Sequence, residues 1–396
     1  MRPFAQAISR LGTETSFEVL AQVNTLRSQG QDIVSFCIGE PDFDTPAYIK
    51  AAAKAALDQG YTHYNPSSGM PEARAEFANY ISKTRGVEII PEQVVITPGA
   101  KPIIFFSILA CAEKGDEVIY PSPGFPIYES MLDFVGAKPV PIPLLEERGF
   151  NFDPAELEKL ITPKTKMIIL NSPGNPTGGV ISASDLEKIA ALTIKHDLWV
   201  MADEIYSRIV YDEKFTSIIG LPGMKERTIL IDGHSKAYAM TGWRLGYGVM
   251  PKELAQHLGR LMTNSNSCTA TFVQLAGIAA YRGPQEETEC MVQEFKARRD
   301  LIVEGLNGIS GVKCLKPAGA FYVFPNVSGV CREFGFKDSK ELQEYLLHKA
   351  GVATLARTCF GRKNKGEAEE YIRLSYATSR ENIQEGLRRM KKALST

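Results

Sequence analysis

The stretch DGHSKAYAMTGWRLGYGV, residues 232–249, sets a lysine, Lys236, between a serine and a run of small residues, with Arg244 eight residues further on and flanked by glycines. A surface lysine ordinarily stands among other charges that keep its ammonium hydrated, and Lys236 has almost none beside it. Taken alone, the stretch is accommodated nearly as well by a buried turn whose Lys and Arg snorkel to water. Three other segments carry comparable residues. In MIILNSPGNPTGGV (167–180), Asn171 and Asn175 fall in a proline-stiffened loop that is also simply a good turn. LWVMADEIYSRIVYD (198–212) delivers Asp203, Glu204 and Tyr206, where an aspartate is often only a helix cap. VVITPGAKPIIFF (94–106) passes through Pro98, Gly99 and Ala100 into a helix start whose backbone N–H groups can face an anion.

Each of these polar groups follows a short apolar run, and the runs define the elements that must position them. VVIT (94–97), EVIY (117–120), MIILN (167–171), LWVMA (198–202), TILID (228–232) and LGYGVM (245–250) read as strands. Helical patterns over 101–113, 125–135, 183–196 and 252–263 separate them. Strands alternating with helices from about residue 46 to about 284 indicate an α/β unit on a buried, mostly parallel sheet. Ligands of such sheets sit at the carboxyl ends of the strands, which is where the polar residues fall. Beyond GPQEETEC the texture becomes a charged helix over 286–307, strands near 312–315, 320–324 and 371–376, and a final helix from Ser379, the pattern of a smaller α+β domain.

Composition narrows the function. With 396 residues, 44% hydrophobic, the chain is long enough for two domains. Its 45 basic and 46 acidic residues leave a net charge of -1, no field with which to hold nucleic acid or an anionic membrane. The cysteines, Cys37, Cys111, Cys268, Cys290, Cys314, Cys331 and Cys359, are odd in number and without a CxxC pair, as expected of reduced thiols in a cytoplasmic protein. The N-terminal residues lack a signal-like apolar core, and no run is long enough to span a bilayer. GxGxxG opening a helix after the first strand, GxxxxGK[ST], HExxH and GxSxG are absent, and the histidines lack metal-ligand spacing, so no metal is expected.

From FCIGEPDFDTP through YNPSSGMPEAR, TPGAK, NSPGNPTGG, ADEIY and SKAYAMTGWRLGY to YIRLSYA, the chain resembles the class I, fold type I, pyridoxal-phosphate aminotransferases of the aspartate and aromatic kind. The resemblance covers nearly the whole sequence. It implies a mostly parallel seven-stranded sheet in a large domain, 46–284, with a small domain formed by 1–45 plus 285–396. It implies the cofactor pyridoxal 5'-phosphate and a homodimer with shared active sites.

By the same resemblance Lys236 is the lysine that binds the cofactor aldehyde, and a small-residue setting helps because an amine must be neutral to attack. Arg244 and Ser235 would hold the phosphate together with the N–H groups of Gly99, Ala100 and Lys101. Asp203 would face the pyridine nitrogen, Asn175 and Tyr206 the phenolic oxygen, and Phe125 the ring face. Arg373 would grip the substrate α-carboxylate, helped by Asn175 and the backbone of Gly39, an internal salt bridge being the plain alternative. Tyr64 would reach the phosphate of the neighbouring subunit. Lys101 is a candidate for an acidic substrate side chain, with Glu14 opposing it if turned inward. The expected reaction is amino transfer from an L-amino acid, aspartate or glutamate slightly favoured, to a 2-oxo acid such as 2-oxoglutarate. An aromatic or broad-range aminotransferase, a C–S lyase or ring-closing synthase, and a non-catalytic cofactor-binding module are the alternatives.

Overall fold

The computed structural model describes residues 2–395. Its central sheet is built from β1 Val94–Thr97, β2 Glu117–Ser122, β3 Lys138–Pro143, β4 Thr165–Asn171, β5 Trp199–Asp203, β6 Thr228–Gly233 and β7 Gly246–Val249. Their spatial order is β1-β7-β6-β5-β4-β2-β3. Every pair is parallel except the two made by β7. The carboxyl ends of β1, β4, β5 and β6 therefore share one edge, and the reversed β7 starts at that edge. One edge thus collects the segments after four strands and the segment before a fifth.

The strands are apolar because both faces are covered. Ile169, Met201 and Ile231 meet a layer from helices Lys101–Cys111, Ile127–Val135 and Lys252–Ser265. On the opposite face Ala202 packs with Leu186 and Ile189 of helix Ala183–Lys195, and Leu230 with Phe77 and Ile81 of helix Pro71–Arg85. Each fully buried side chain of this size adds roughly 1.5–3 kcal/mol. The alternation continues past the last core residue of β5, so Asp203 lies with Met201 on the first face and Glu204 with Ala202 on the second.

The last part of the chain, with the first, builds a separate layer. Helix Glu286–Asn307, sequence-predicted over 286–307, packs on helix Arg380–Ala393, whose N-cap is Ser379. Leu355–Ala356, Ile372–Ser375 and Tyr322–Val323 form an antiparallel sheet in that order. Val34–Ser35 pairs in parallel with Val352–Ala353, which joins the N-terminal segment to this layer. No strand forms over 312–315: the only pairing there is an isolated bridge from Lys313 to Asn326. A strand absent from the sequence reading, β3, has the sequence KPVPIP. Its three prolines are tolerated because it is the sheet edge, paired on one side only.

Candidate active site

A cavity of about 480 Å³ opens between the sheet edge and the C-terminal layer. It is reached by the turn after β6, the end of β5, the loop after β4, the turn after β1, residues 37–40 and strand Ile372–Ser375.

Lys236 is the buried amine of this cavity, and its Nζ donates a hydrogen bond to the carbonyl of Gly39. Burial lowers its pKa from 10.5 to about 8, with Arg373 and Arg244 pushing the same way and Glu40 and Asp203 opposing. Desolvation thus outweighs the nearby cations. Gly39 is needed at its position because a Cβ there would stand 2.0 Å from the hydroxyl oxygen of Tyr322.

Asp203 is 5% exposed and no helix follows it, so it caps none. Its Oδ2 accepts a 2.7 Å hydrogen bond from the hydroxyl of Tyr128, and its Oδ1 a weaker one from the Ile205 N–H. Burial raises its pKa, and those two bonds and Lys236 hold the rise back. Neighbouring Asn171 anchors the loop after β4, donating from Nδ2 to the Asp203 carbonyl and accepting from the Asn175 N–H at 2.8 Å. The Tyr206 hydroxyl meets that of Tyr322 at 2.6 Å, and burial pushes its pKa well up.

Arg373 is 4% exposed on an apolar strand. Its Nη1 donates to Asn175 Oδ1 at 3.0 Å and its Nη2 to the Cys37 carbonyl, while Nε has no partner. Among the described residues no carboxylate pairs with it, so the salt-bridge alternative fails. The rings of Tyr322 and Phe360 lie 4.5 and 5.0 Å from the guanidinium carbon. A buried, permanently charged group with an idle donor is expensive unless an anion arrives.

At the other end of the cavity Arg244 holds a left-handed backbone, φ 54°, and donates from Nη1 to the Thr241 carbonyl at 2.7 Å. Its guanidinium presses on Gly99, φ +84°, where a Cβ would come within 2.2 Å of Nη2. Ser235, Ala100, Lys101 and Phe125 also line the cavity. The ammonium of Lys101 is paired with Glu14 and lies 5.2 Å from the Phe125 ring centre. Tyr64 is not part of this cavity and is 89% exposed.

Three participants escaped the sequence reading. Tyr128 had a signal, standing three residues after Phe125 in the first turn of helix Ile127–Val135. Glu40 had one too, as the residue after Gly39, whereas Tyr322 had none, since only the folding of a distant segment onto the cavity brings it there. Among the described residues no helix is long and apolar enough to cross a membrane, and no group of three His, Cys, Asp or Glu could hold a metal.

Comparison with known proteins gives the same picture. The model of the family "Aminotransferase class I and II" matches residues 31–390. A probable aspartate/prephenate aminotransferase of Aquifex aeolicus is 39% identical over 394 residues, 98% of each chain. Aromatic-amino-acid aminotransferase 2 of Thermococcus litoralis is 40% identical over 92% of each. The structure of Thermus thermophilus aspartate aminotransferase with maleate superposes with a TM-score of 0.92 at 37% identity, covering 99% of this chain and 100% of that one.

Proposed function

The chain belongs to the class I and II aminotransferase family and is a pyridoxal 5'-phosphate-dependent transaminase; we propose that it takes the amino group from a dicarboxylic L-amino acid, aspartate or glutamate, and passes it to a 2-oxo acid such as 2-oxoglutarate. The cavity fits the cofactor. It offers one amine with a pKa of about 8, one buried carboxyl whose charge burial disfavours unless a cation faces it, and a guanidinium packed on a glycine whose left-handed backbone disfavours any larger residue.

Lys236 would hold the cofactor aldehyde. Ser235, Arg244 and the N–H groups of Gly99, Ala100 and Lys101 would hold its phosphate, and Phe125 would cover its ring face. Asp203 would pair with the pyridine nitrogen, and Asn175 and Tyr206 with the phenolic oxygen. When bound, the cofactor supplies a carbonyl carbon for the amino nitrogen and a protonated ring that draws electrons from the Cα–H bond. Asp203 keeps the ring nitrogen protonated, and that cation in turn favours the charged carboxylate against burial. Tyr128 fixes the carboxylate by its hydrogen bond. Lys236, neutral over much of the range above pH 8, takes the proton from the substrate Cα. Arg373 and Asn175 orient the α-carboxylate so that this bond faces Lys236.

The orphaned Nε of Arg373 is the observation that carries the amino-acid reading. Arg373→Ala is expected to lower kcat/KM roughly 10- to 200-fold, the worth of one charge-assisted hydrogen bond, and by a similar factor for every amino acid tried. A loss confined to one substrate would mean that Arg373 reads a side chain.

For the donor the supporting feature is Lys101, a cation inside the cavity whose partner Glu14 comes from the N-terminal segment, at the start of helix Thr15–Ser28, rather than from the sheet. A substrate carboxylate can exchange for Glu14 there. Lys101→Met should then lower kcat/KM for aspartate and glutamate about 10-fold or more, while alanine and phenylalanine change little. Equal losses would favour the aromatic or broad-range alternative, for which the apolar lining of Phe17, Phe125 and Phe360 is suited.

We further read residues 46–284 as the large domain and 1–45 plus 285–396 as the small one. The protein is taken to be a homodimer, which the exposure of Tyr64 supports. A cytoplasmic location is supported by seven unpaired cysteines.

A further inference from the structure

Beneath the sheet, on the face away from the cavity, lies a buried charge cluster that touches no part of the site. Arg85 is the last residue of helix Pro71–Arg85, and its side chain is 4% exposed. Its Nε meets Glu204 Oε2 at 2.8 Å, and its Nη2 meets Asp232 Oδ2 at 3.1 Å and the Ser207 hydroxyl at 2.8 Å. The two carboxylates are themselves anchored. Glu204 accepts from the Ser217 hydroxyl, and Asp232 accepts from the N–H of Gly233 at 2.7 Å. The ring of Phe215 covers the guanidinium at 5.1 Å.

The positions of these carboxylates matter more than their number. Glu204 directly follows Asp203 at the end of β5, and Asp232 precedes Lys236 by one turn at the end of β6. The two strands are in parallel register up to Asp203 and Ile231, and the last ladder bond, from the Glu204 N–H to the Ile231 carbonyl, is 2.9 Å. Beyond it β5 leaves the sheet for the turn carrying Tyr206, while β6 runs on, paired with β7 through Gly233, to the turn carrying Lys236. Backbone bonding between β5 and β6 therefore ends where the reacting groups begin.

We propose that Arg85 is a positioning residue for the reaction: by bridging Glu204 and Asp232 under the sheet it fixes the ends of β5 and β6 to each other, and so sets the separation of Asp203 and Lys236 on the opposite face. The proposal rests on the roles given above to Asp203 and Lys236. The planar fork of a guanidinium can hold two carboxylates at a set spacing, which a lysine cannot. One guanidinium faces two carboxyls here, and burial pushes that of Asp232 up to about 7 despite the neighbouring Arg85. A cluster that served stability alone would gain nothing from ionic groups, since apolar residues of similar volume are often at least as stabilising.

The test compares Arg85→Lys with the triple variant Arg85→Met, Glu204→Gln, Asp232→Asn, in which the three buried charges are removed together so that none is left unpaired. In the triple variant kcat should fall about 10- to 100-fold with substrate KM within about twofold, because no group contacting substrate has changed. The apoenzyme, titrated with pyridoxal phosphate, should bind it several-fold more weakly. Arg85→Lys should recover thermal stability but little of kcat. Wild-type kcat and cofactor affinity in the folded triple variant, or in Arg85→Lys should the triple not fold, overturn the proposal. Should Asp203→Asn or Lys236→Ala prove active, the assignment of the site fails instead, whatever Arg85 does.

Discussion

Lys236→Ala is expected to lower turnover by about 10⁴-fold, the upper range of what a positioned general base contributes, while the fold survives. The side chain makes one polar contact, to the Gly39 carbonyl, and burial already disfavours its charge, lowering its pKa to about 8, so its removal takes away a desolvated ammonium and leaves no charged partner behind. The visible absorbance of lysine-bound cofactor should vanish, and an unchanged band would remove Lys236 from the role. A pH dependence follows from the same burial. Only the neutral amine attacks a carbonyl, so capture of cofactor by the wild-type apoenzyme should accelerate as pH rises through about 8, and not through 10.5 as for a solvated lysine. A midpoint near 10.5, followed by stopped-flow absorbance, would show that desolvation does not govern this amine.

Asp203→Asn is the second large effect. The substitution preserves shape and can still accept from Tyr128, but the charge is gone. One well-placed electrostatic group contributes roughly 3 to 4 kcal/mol to a transition state, or several hundred-fold in kcat, and here the charge acts in a dry site where screening is weak. Cofactor should still bind through the phosphate contacts. Turnover within a few-fold of wild type, measured under saturating donor, would leave Asp203 a structural residue.

Much of this site was legible because its residues follow strands that advertise themselves. VVIT matches β1 residue for residue, and the other apolar runs matched to within a few positions, since a strand buried on both faces must be apolar throughout. Edge strand β3 hid behind its prolines, whose lost N–H groups matter only where a second neighbour would have used them. The expected strand at 312–315 failed for the opposite reason: apolar residues were present, but its partner segment supplies one bridge and no ladder. Asp203, Asn175 and Lys236 could be placed because each sits in a local motif. Tyr322 and Arg85 could not. Their partners lie more than a hundred residues away in sequence, at Tyr206 and at Glu204, and no local pattern encodes such a meeting.

The reversed strand β7 has a consequence for how the molecule is made. β1 has β7 as its only neighbour in the sheet, and the pairing of Ile96 with Tyr247 spans about 150 residues of chain. At roughly 5–20 residues per second on the ribosome, the apolar strand Val94–Thr97 waits on the order of ten seconds for a mate. The N-terminal segment waits longer still, since Val34 pairs with Val352. The glycine turn after β1 and Arg244 before β7 are brought together by that late closure, so the cup around Gly99 is among the last parts of the large sheet to be assembled. A nascent chain halted before residue 246 carries an open, hydrophobic sheet margin, the kind of edge that chaperones cover and that other unfinished chains can extend.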